Sequence, residues 1–150
     1  MRPRFRQSLP FFIVVFILIS SARAQQIVDP LALIGIGEEA ACALWEDPME
    51  SLDHAGPSER DIYFASQGVT LGIYGDRVWQ ARFDETTPLS WRGLGPGVSR
   101  ERVRDVLGTP YYNTEFWDLY LLQGSHWPLR LRIFYRNGEA FDFYLYRGDF

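Results

Sequence analysis

Apolar and polar positions alternate with period two along four stretches of the chain, the pattern of strands with one buried face. Val69, Leu71 and Ile73 form one set and Trp79, Ala81 and Phe83 the next; Leu131, Ile133 and Tyr135 and then Phe141, Phe143 and Leu145 form two more. Between the members of each pair lie Gly75-Asp76 and Asn137-Gly138, and Asn-Gly is among the strongest hairpin signals because both central positions tolerate positive φ. Two further segments change the period. Ala41, Leu44 and Trp45, and Val103, Val106 and Leu107, recur at i, i+3, i+4, which gives each of two short helices one buried stripe. Ser99 is the N-cap of the second, with Val98 stapling onto Val103; Gly37, Ile36 and Ala41 occupy those stations in the first, and prolines 48 and 110 end the two helices.

These segments superpose when the chain is shifted by 62 residues, so that 35–48 falls on 97–110 and the strand pairs fall on one another without a gap. An earlier strand in each copy, Asp61-Ile-Tyr-Phe-Ala65 and Asp118-Leu-Tyr-Leu-Leu122, matches at a shift of 57, as though five residues had moved between loops. The expected fold is therefore α+β: two tandem repeats, each a helix plus a three-stranded antiparallel sheet, with the helices packed on one sheet face. The expected boundaries are 25–85 for the first repeat, 86–96 for a linker and 97–150 for the second. A unit of this size is marginal alone, so the two must share a sheet edge or a helix interface.

The N-terminus adds an address. Arginines 2, 4 and 6 precede an apolar run from Leu9 to Ile19, and Ala22 and Ala24 supply the small residues of a cleavage site. Residues 1–24 read as a secretory signal peptide, too short to span a bilayer, and the mature chain is expected to be exported, periplasmic or secreted, with no transmembrane span after cleavage. Residues 25–150 hold eleven arginines against nineteen carboxylates, a net charge of −8, which disfavours nucleic acid as a partner. The single cysteine, Cys42, rules out an intrachain disulfide and reads as a small buried hydrophobe.

The run Gly-Val-Ser-Arg-Glu-Arg-Val-Arg-Asp-Val-Leu-Gly-Thr-Pro at 97–110, followed by strands and an Asn-Gly hairpin closing on Phe-Asp-Phe-Tyr-Leu, resembles the exported domains typified by the β-lactamase inhibitor protein and the SmpA/OmlA outer-membrane assembly lipoprotein. The resemblance covers about residues 33–150, and the tandem arrangement is more similar to the inhibitor. It implies a helical segment packed on one face of an antiparallel sheet, with the other face or its loops binding protein. The lipoprotein cysteine after the signal and the inhibitor's paired cysteines are both missing here.

Alternation assigns the candidate binding residues. With Leu131, Ile133, Phe141, Phe143 and Leu145 turned toward the helix, Arg130, Arg132, Phe134, Asp142, Tyr144 and Tyr146 take the opposite face, together with Tyr120 and Leu122; the first copy adds Tyr63, Tyr74, Gln80 and Arg82. Tyrosine and arginine dominate protein interfaces because each buries area at low entropic cost and keeps a polar handle. The expected activity is binding of another protein, or of a second copy, without enzymatic chemistry. No catalytic residue, cofactor or metal site is expected: there is no lysine, no HExxH, no paired CxxC, no Gly-x-Ser-x-Gly, and histidines occur only at 54 and 126. Two rival readings are an envelope hydrolase using carboxylates of the loops at 47–61 and 84–95, and a self-associating structural component of the envelope.

Overall fold

A computed structural model describes residues 28–46, 48–51 and 59–149. The signal-peptide assignment and His54 lie outside them. Eight strands occupy the described chain: β1 (Pro48–Ser51), β2 (Arg60–Phe64), β3 (Val69–Tyr74), β4 (Arg77–Phe83), β5 (Tyr112–Asn113), β6 (Trp117–Gln123), β7 (Pro128–Arg136) and β8 (Glu139–Arg147). Three short helices accompany them, α1 (Pro30–Leu33), α2 (Glu38–Cys42) and α3 (Arg100–Leu107).

All eight strands belong to one antiparallel sheet in the order β1-β2-β3-β4-β8-β7-β6-β5. The expectation of two helix-plus-three-stranded repeats is thereby corrected. β4 and β8 are hydrogen-bonded to each other, so the sheet has no boundary between halves, and β1 and β5 add strands that the alternation did not announce. These two are only four and two residues long, too short for a period to show.

One face of this sheet carries the core. Phe64, Leu71, Ile73, Val78, Ala81 and Phe83 from one half meet Tyr120, Leu131, Ile133, Ala140, Phe143 and Leu145 from the other in a single buried cluster. Leu33 and Ile34, Ala41 and Val103 cover it from α1 and its end, α2 and α3 respectively. Cys42 is half-buried against the same cluster. The segment expected as a linker also takes part: Trp91 and Leu94 exchange backbone hydrogen bonds of 2.9 Å each way, and Leu94 is buried in the core.

Backbone geometry recurs at a spacing of 62. The Glu38 N–H donates to Asp76 O (3.0 Å), as the Arg100 N–H does to Gly138 O (2.9 Å). The Val78 N–H donates to Ile36 O and the Ala140 N–H to Val98 O; Gly35 and Gly97 then donate to Val78 O and Ala140 O. Both hairpins turn through two positive-φ residues, Gly75-Asp76 and Asn137-Gly138, which fits the right-handed twist of the strands they join. Each also bears a register shift, at Gly72/Ile73 and at Phe134/Tyr135. At the join Arg82 pairs with Tyr144, its own 62-residue counterpart, so a local two-fold axis passes between them.

The register shifts correct the inward set. Inserting one extra residue flips the alternation, so Val78 and Ala140 enter the core cluster where Trp79 and Phe141 were expected. The ladder also places Ile62 against Leu71 and Asp118 against Ile133, which makes the offset of β2 and β6 56 residues, not 57. Helix α2 is shorter than the stripe suggested. It has no side-chain N-cap bond and ends at Cys42, after which Leu44 N–H bonds back to Ala41 O and Trp45 meets the Phe64 ring edge-on at 5.1 Å.

Candidate functional site

Because α1, α2 and α3 all lie on the core side, no helix among the described residues covers the opposite face of the sheet. Its central line is set by register: Tyr63, Thr70, Arg82, Tyr144, Arg132, Leu119 and Tyr112 follow one another across seven strands. A parallel line holds Gln80, Tyr146, Arg130 and Leu121, and another holds Asp142, Phe134 and Trp117.

The side chains of these lines are fixed against each other. Arg82 meets Asp142 in a two-pronged ion pair, Nε to Oδ1 at 3.0 Å and Nη2 to Oδ2 at 2.9 Å, and lies 5.3 Å from the Tyr144 ring centre. Phe134 stands edge-on to Tyr144 at 5.6 Å. Arg132 sits over Trp117 at 4.7 Å and 5.9 Å from the Tyr146 ring, with Nη2 donating to the Tyr146 hydroxyl at 3.4 Å. Burial, with Asp84 adding repulsion, leaves the Asp142 carboxyl above its ordinary value even with Arg82 in place. Burial and the neighbouring Asp142 also raise the Tyr144 hydroxyl.

Of the nine candidate residues, Arg82, Arg130, Arg132, Phe134, Tyr144 and Tyr146 come together in the middle of this face, all partly buried. Tyr63 lies further along the central line, its hydroxyl 3.5 Å from Asp84 Oδ2, and Tyr74 is 45% exposed at the end of β3, apart from the group. Tyr120 is the correction. It pairs with Leu131 on the core face, is 3% exposed and points its hydroxyl at Asp118. Aligning Asp61 and Tyr63 by identity with Asp118 and Tyr120 misplaces it, whereas the ladder sets Tyr63 opposite Leu119's station and Phe64 opposite Tyr120's. The same offset hid Trp117 and Leu119, which belong to the outer face; inward alternation from Tyr120 would have found them.

A second polar cluster lies on the core side. Asp118 is fully buried and accepts from Arg100 (Nη2 to Oδ1, 2.5 Å), from Arg104 (Nε to Oδ2, 3.4 Å) and from the hydroxyls of Tyr120 (3.4 Å) and Tyr135 (3.2 Å). Burial alone would raise this carboxyl, but hydrogen bonds and charge from Arg100 and Arg104 override it and hold it below the ordinary value. Burial, then the Asp118 charge, pushes the Tyr120 hydroxyl up to about 12 and raises that of Tyr135 further. Arg100 also donates to the carbonyls of Thr114 (2.6 Å) and Glu115 (2.9 Å), so the cluster ties α3 to the β5–β6 turn. With every oxygen of Asp118 engaged, this is a clamp rather than a reactive centre.

Carboxylates of the 84–95 loop are committed as well. Asp84 accepts from the Thr86 N–H (2.8 Å) and hydroxyl (2.6 Å), and Glu85 pairs with Arg136 at 3.1 Å. Among the described residues no cluster of three His, Cys, Asp or Glu side chains could hold a metal ion, and no helix is long and apolar enough to cross a membrane. A largely apolar pocket, open on one side, is lined by Leu89, Trp91 and Leu94 with Phe83, Leu131 and Phe143. A wider groove of about 720 Å³ runs between the end of α1 and the β6–β7 turn, past Arg77, His126 and Trp127.

No family model matches the chain, and no curated protein or solved structure matches it either.

Proposed function

We propose that this protein is an exported protein-binding module that engages its partner through the outer face of β4, β8, β7 and β6. One observation carries the reading: rings and guanidinium groups form a continuous surface on the central strands, on the side of the sheet opposite the three helices of the described residues. Side chains already locked by their neighbours lose little freedom on binding, which is what makes such a surface effective. The basic, apolar and small-residue order of positions 1–24 supports export.

Photo-crosslinking residues placed one at a time at Leu119 and Tyr146, with Glu101 on α3 as the control, test the face in the native cell envelope. The expected result is a discrete adduct from Leu119 and Tyr146, absent from Glu101 and lost when Arg132→Ala and Tyr144→Ala are combined. Equal adducts from all three positions, or adducts that survive the double substitution, would sink the proposal.

A further inference from the structure

The outer face treats its arginines unequally. Arg82 is neutralised within the chain by Asp142. Arg130 and Arg132 have no carboxylate within ion-pair distance among the described residues; their cross-strand neighbours are Tyr146 and Leu121 for the first and Tyr144 and Leu119 for the second. An acid placed opposite either arginine would add a stabilising cross-strand pair, and residues 25–150 have nineteen acids to draw on. Arg132 is held in place by rings instead: Trp117 beneath it, Tyr146 beside it, and Nε buried without an acceptor. A guanidinium stacked in this way keeps its plane fixed; with Nε buried and Nη2 on the Tyr146 hydroxyl, its Nη1 end has no acceptor among the described residues and is left for a carboxylate, and the flanking rings displace the water that would weaken the pair.

From this we infer that the partner presents a carboxylate, an Asp or Glu side chain on a protein surface, which docks on Arg132 with Arg130 as the second cation. The inference rests on the protein-binding reading of this face and specifies what the face recognises. Charge complementarity selects that partner. The two guanidinium groups form a local basic spot on a chain whose net charge of −8 over residues 25–150 repels an extended polyanion but leaves a single acidic side chain free to approach.

Titration of the full chain with the blocked dipeptide Ac-Glu-Glu-NH2, its uncharged twin Ac-Gln-Gln-NH2, and inorganic phosphate, followed by the indole N–H resonance of Trp117, is the test. The acidic dipeptide is expected to shift that resonance saturably and its twin to leave it in place. Arg132→Gln should weaken the acidic dipeptide about tenfold and Arg132→Lys, which keeps the charge but not the fork, by an intermediate factor. Arg102→Gln, an exposed α3 position, should change nothing. Backbone resonances distant from the site report whether each variant is folded, and the Arg132→Lys comparison stands if Arg132→Gln is not. Equal shifts from both dipeptides, no shift at all, an equal loss in Arg102→Gln, or tighter binding of phosphate than of the acidic dipeptide would each overturn the assignment. Cross-linking from Leu119 and Tyr146 that still depends on Arg132 and Tyr144 would then leave the face itself standing while its preference for carboxylate falls.

Discussion

The two halves of the sheet solve the same packing problem with opposite chemistry. Where Asp118, Arg100, Arg104, Tyr120 and Tyr135 meet in the second half, the equivalent stations of the first hold Ile62, Glu38, Cys42, Phe64 and Ile73. Ile62, Phe64 and Ile73 belong to the hydrophobic core, and Glu38 turns outward to pair with Arg60. One backbone frame thus accepts either a plug of apolar side chains or a buried ion pair with its donors. The reason for the polar version lies at the rim. β1 pairs with β2 over four residues, whereas β5 pairs with β6 over two, and Arg100 supplies to Thr114 and Glu115 the hydrogen bonds that a longer ladder would have made. Polar cores are less forgiving than apolar ones, since removing one member strands the others.

The sharpest way to break the comparison is Asp118→Ala. It leaves two guanidinium groups and two hydroxyls without their shared acceptor, and it should cost about 3–5 kcal/mol in denaturant unfolding. Ile62→Val at the equivalent station should cost about 1 kcal/mol. A loss at Asp118 no larger than that at Ile62 would mean the cluster is not a clamp.

Next in size is a pair of glycines. Gly35 and Gly97 are counterparts with φ of +93° and +84°, but a Cβ on Gly35 would fall inside the Trp127 ring while one on Gly97 meets nothing within 4 Å. Gly97→Ala should therefore cost about 1 kcal/mol for its backbone conformation alone. Gly35→Ala should cost roughly 2–4 kcal/mol, because a ring must also move. Melting temperatures of the two variants measure the difference directly.

Alkaline pH separates the halves in a different way. The folded pKa values of Tyr120 and Tyr135 are raised above the ordinary 10, that of Tyr120 to about 12. A group whose folded pKa is raised gives stability that is whole below the unfolded value and lost as pH climbs toward the folded one. Stability should thus fall as pH climbs above about 10, and Tyr120→Phe should make that limb shallower while leaving the share of Tyr135. Asp118 works at the other end: its lowered pKa means stability present above about pH 4 and lost on acidification below it, a loss that Asp118→Asn should remove.

The smallest expected effect compares the two central arginines. Arg82→Ala abandons the largely buried Asp142 carboxylate and should cost about 1 kcal/mol, discounted because the guanidinium itself is 42% exposed. Arg132→Ala gives up ring contacts and one long hydrogen bond to the Tyr146 hydroxyl and should cost about 0.5 kcal/mol. If Arg132 proved the more costly for folding, its place on the outer face would be structural.

How far the chain announced this arrangement differs from element to element. β3, β4, β7 and β8 were legible in their alternation, and Asn137-Gly138 marked its turn, because those features are local. What failed was long-range. A one-residue insertion at Trp79 and Phe141 cannot be read from composition, since both residues are as apolar as the Val78 and Ala140 that take their places in the core cluster, and Trp79 stays buried outside it. Asp118 looks like a copy of Asp61, yet it stands at the station of Ile62, and only hydrogen bonding across strands distinguishes the two. That single residue of offset moved Tyr120 to the wrong face and concealed Trp117, so the candidate site was legible on β4, β7 and β8 and illegible on β6.

The pairing of Arg82 with Tyr144 has one more implication. In a complex of two identical chains related by a dyad, whatever occupies the axis faces itself, so an arginine there would oppose an arginine. Covalent continuity removes that restriction. With both halves in one polypeptide, the centre of the face holds a cation beside a phenol ring, a heteropolar spot that symmetric self-assembly cannot create.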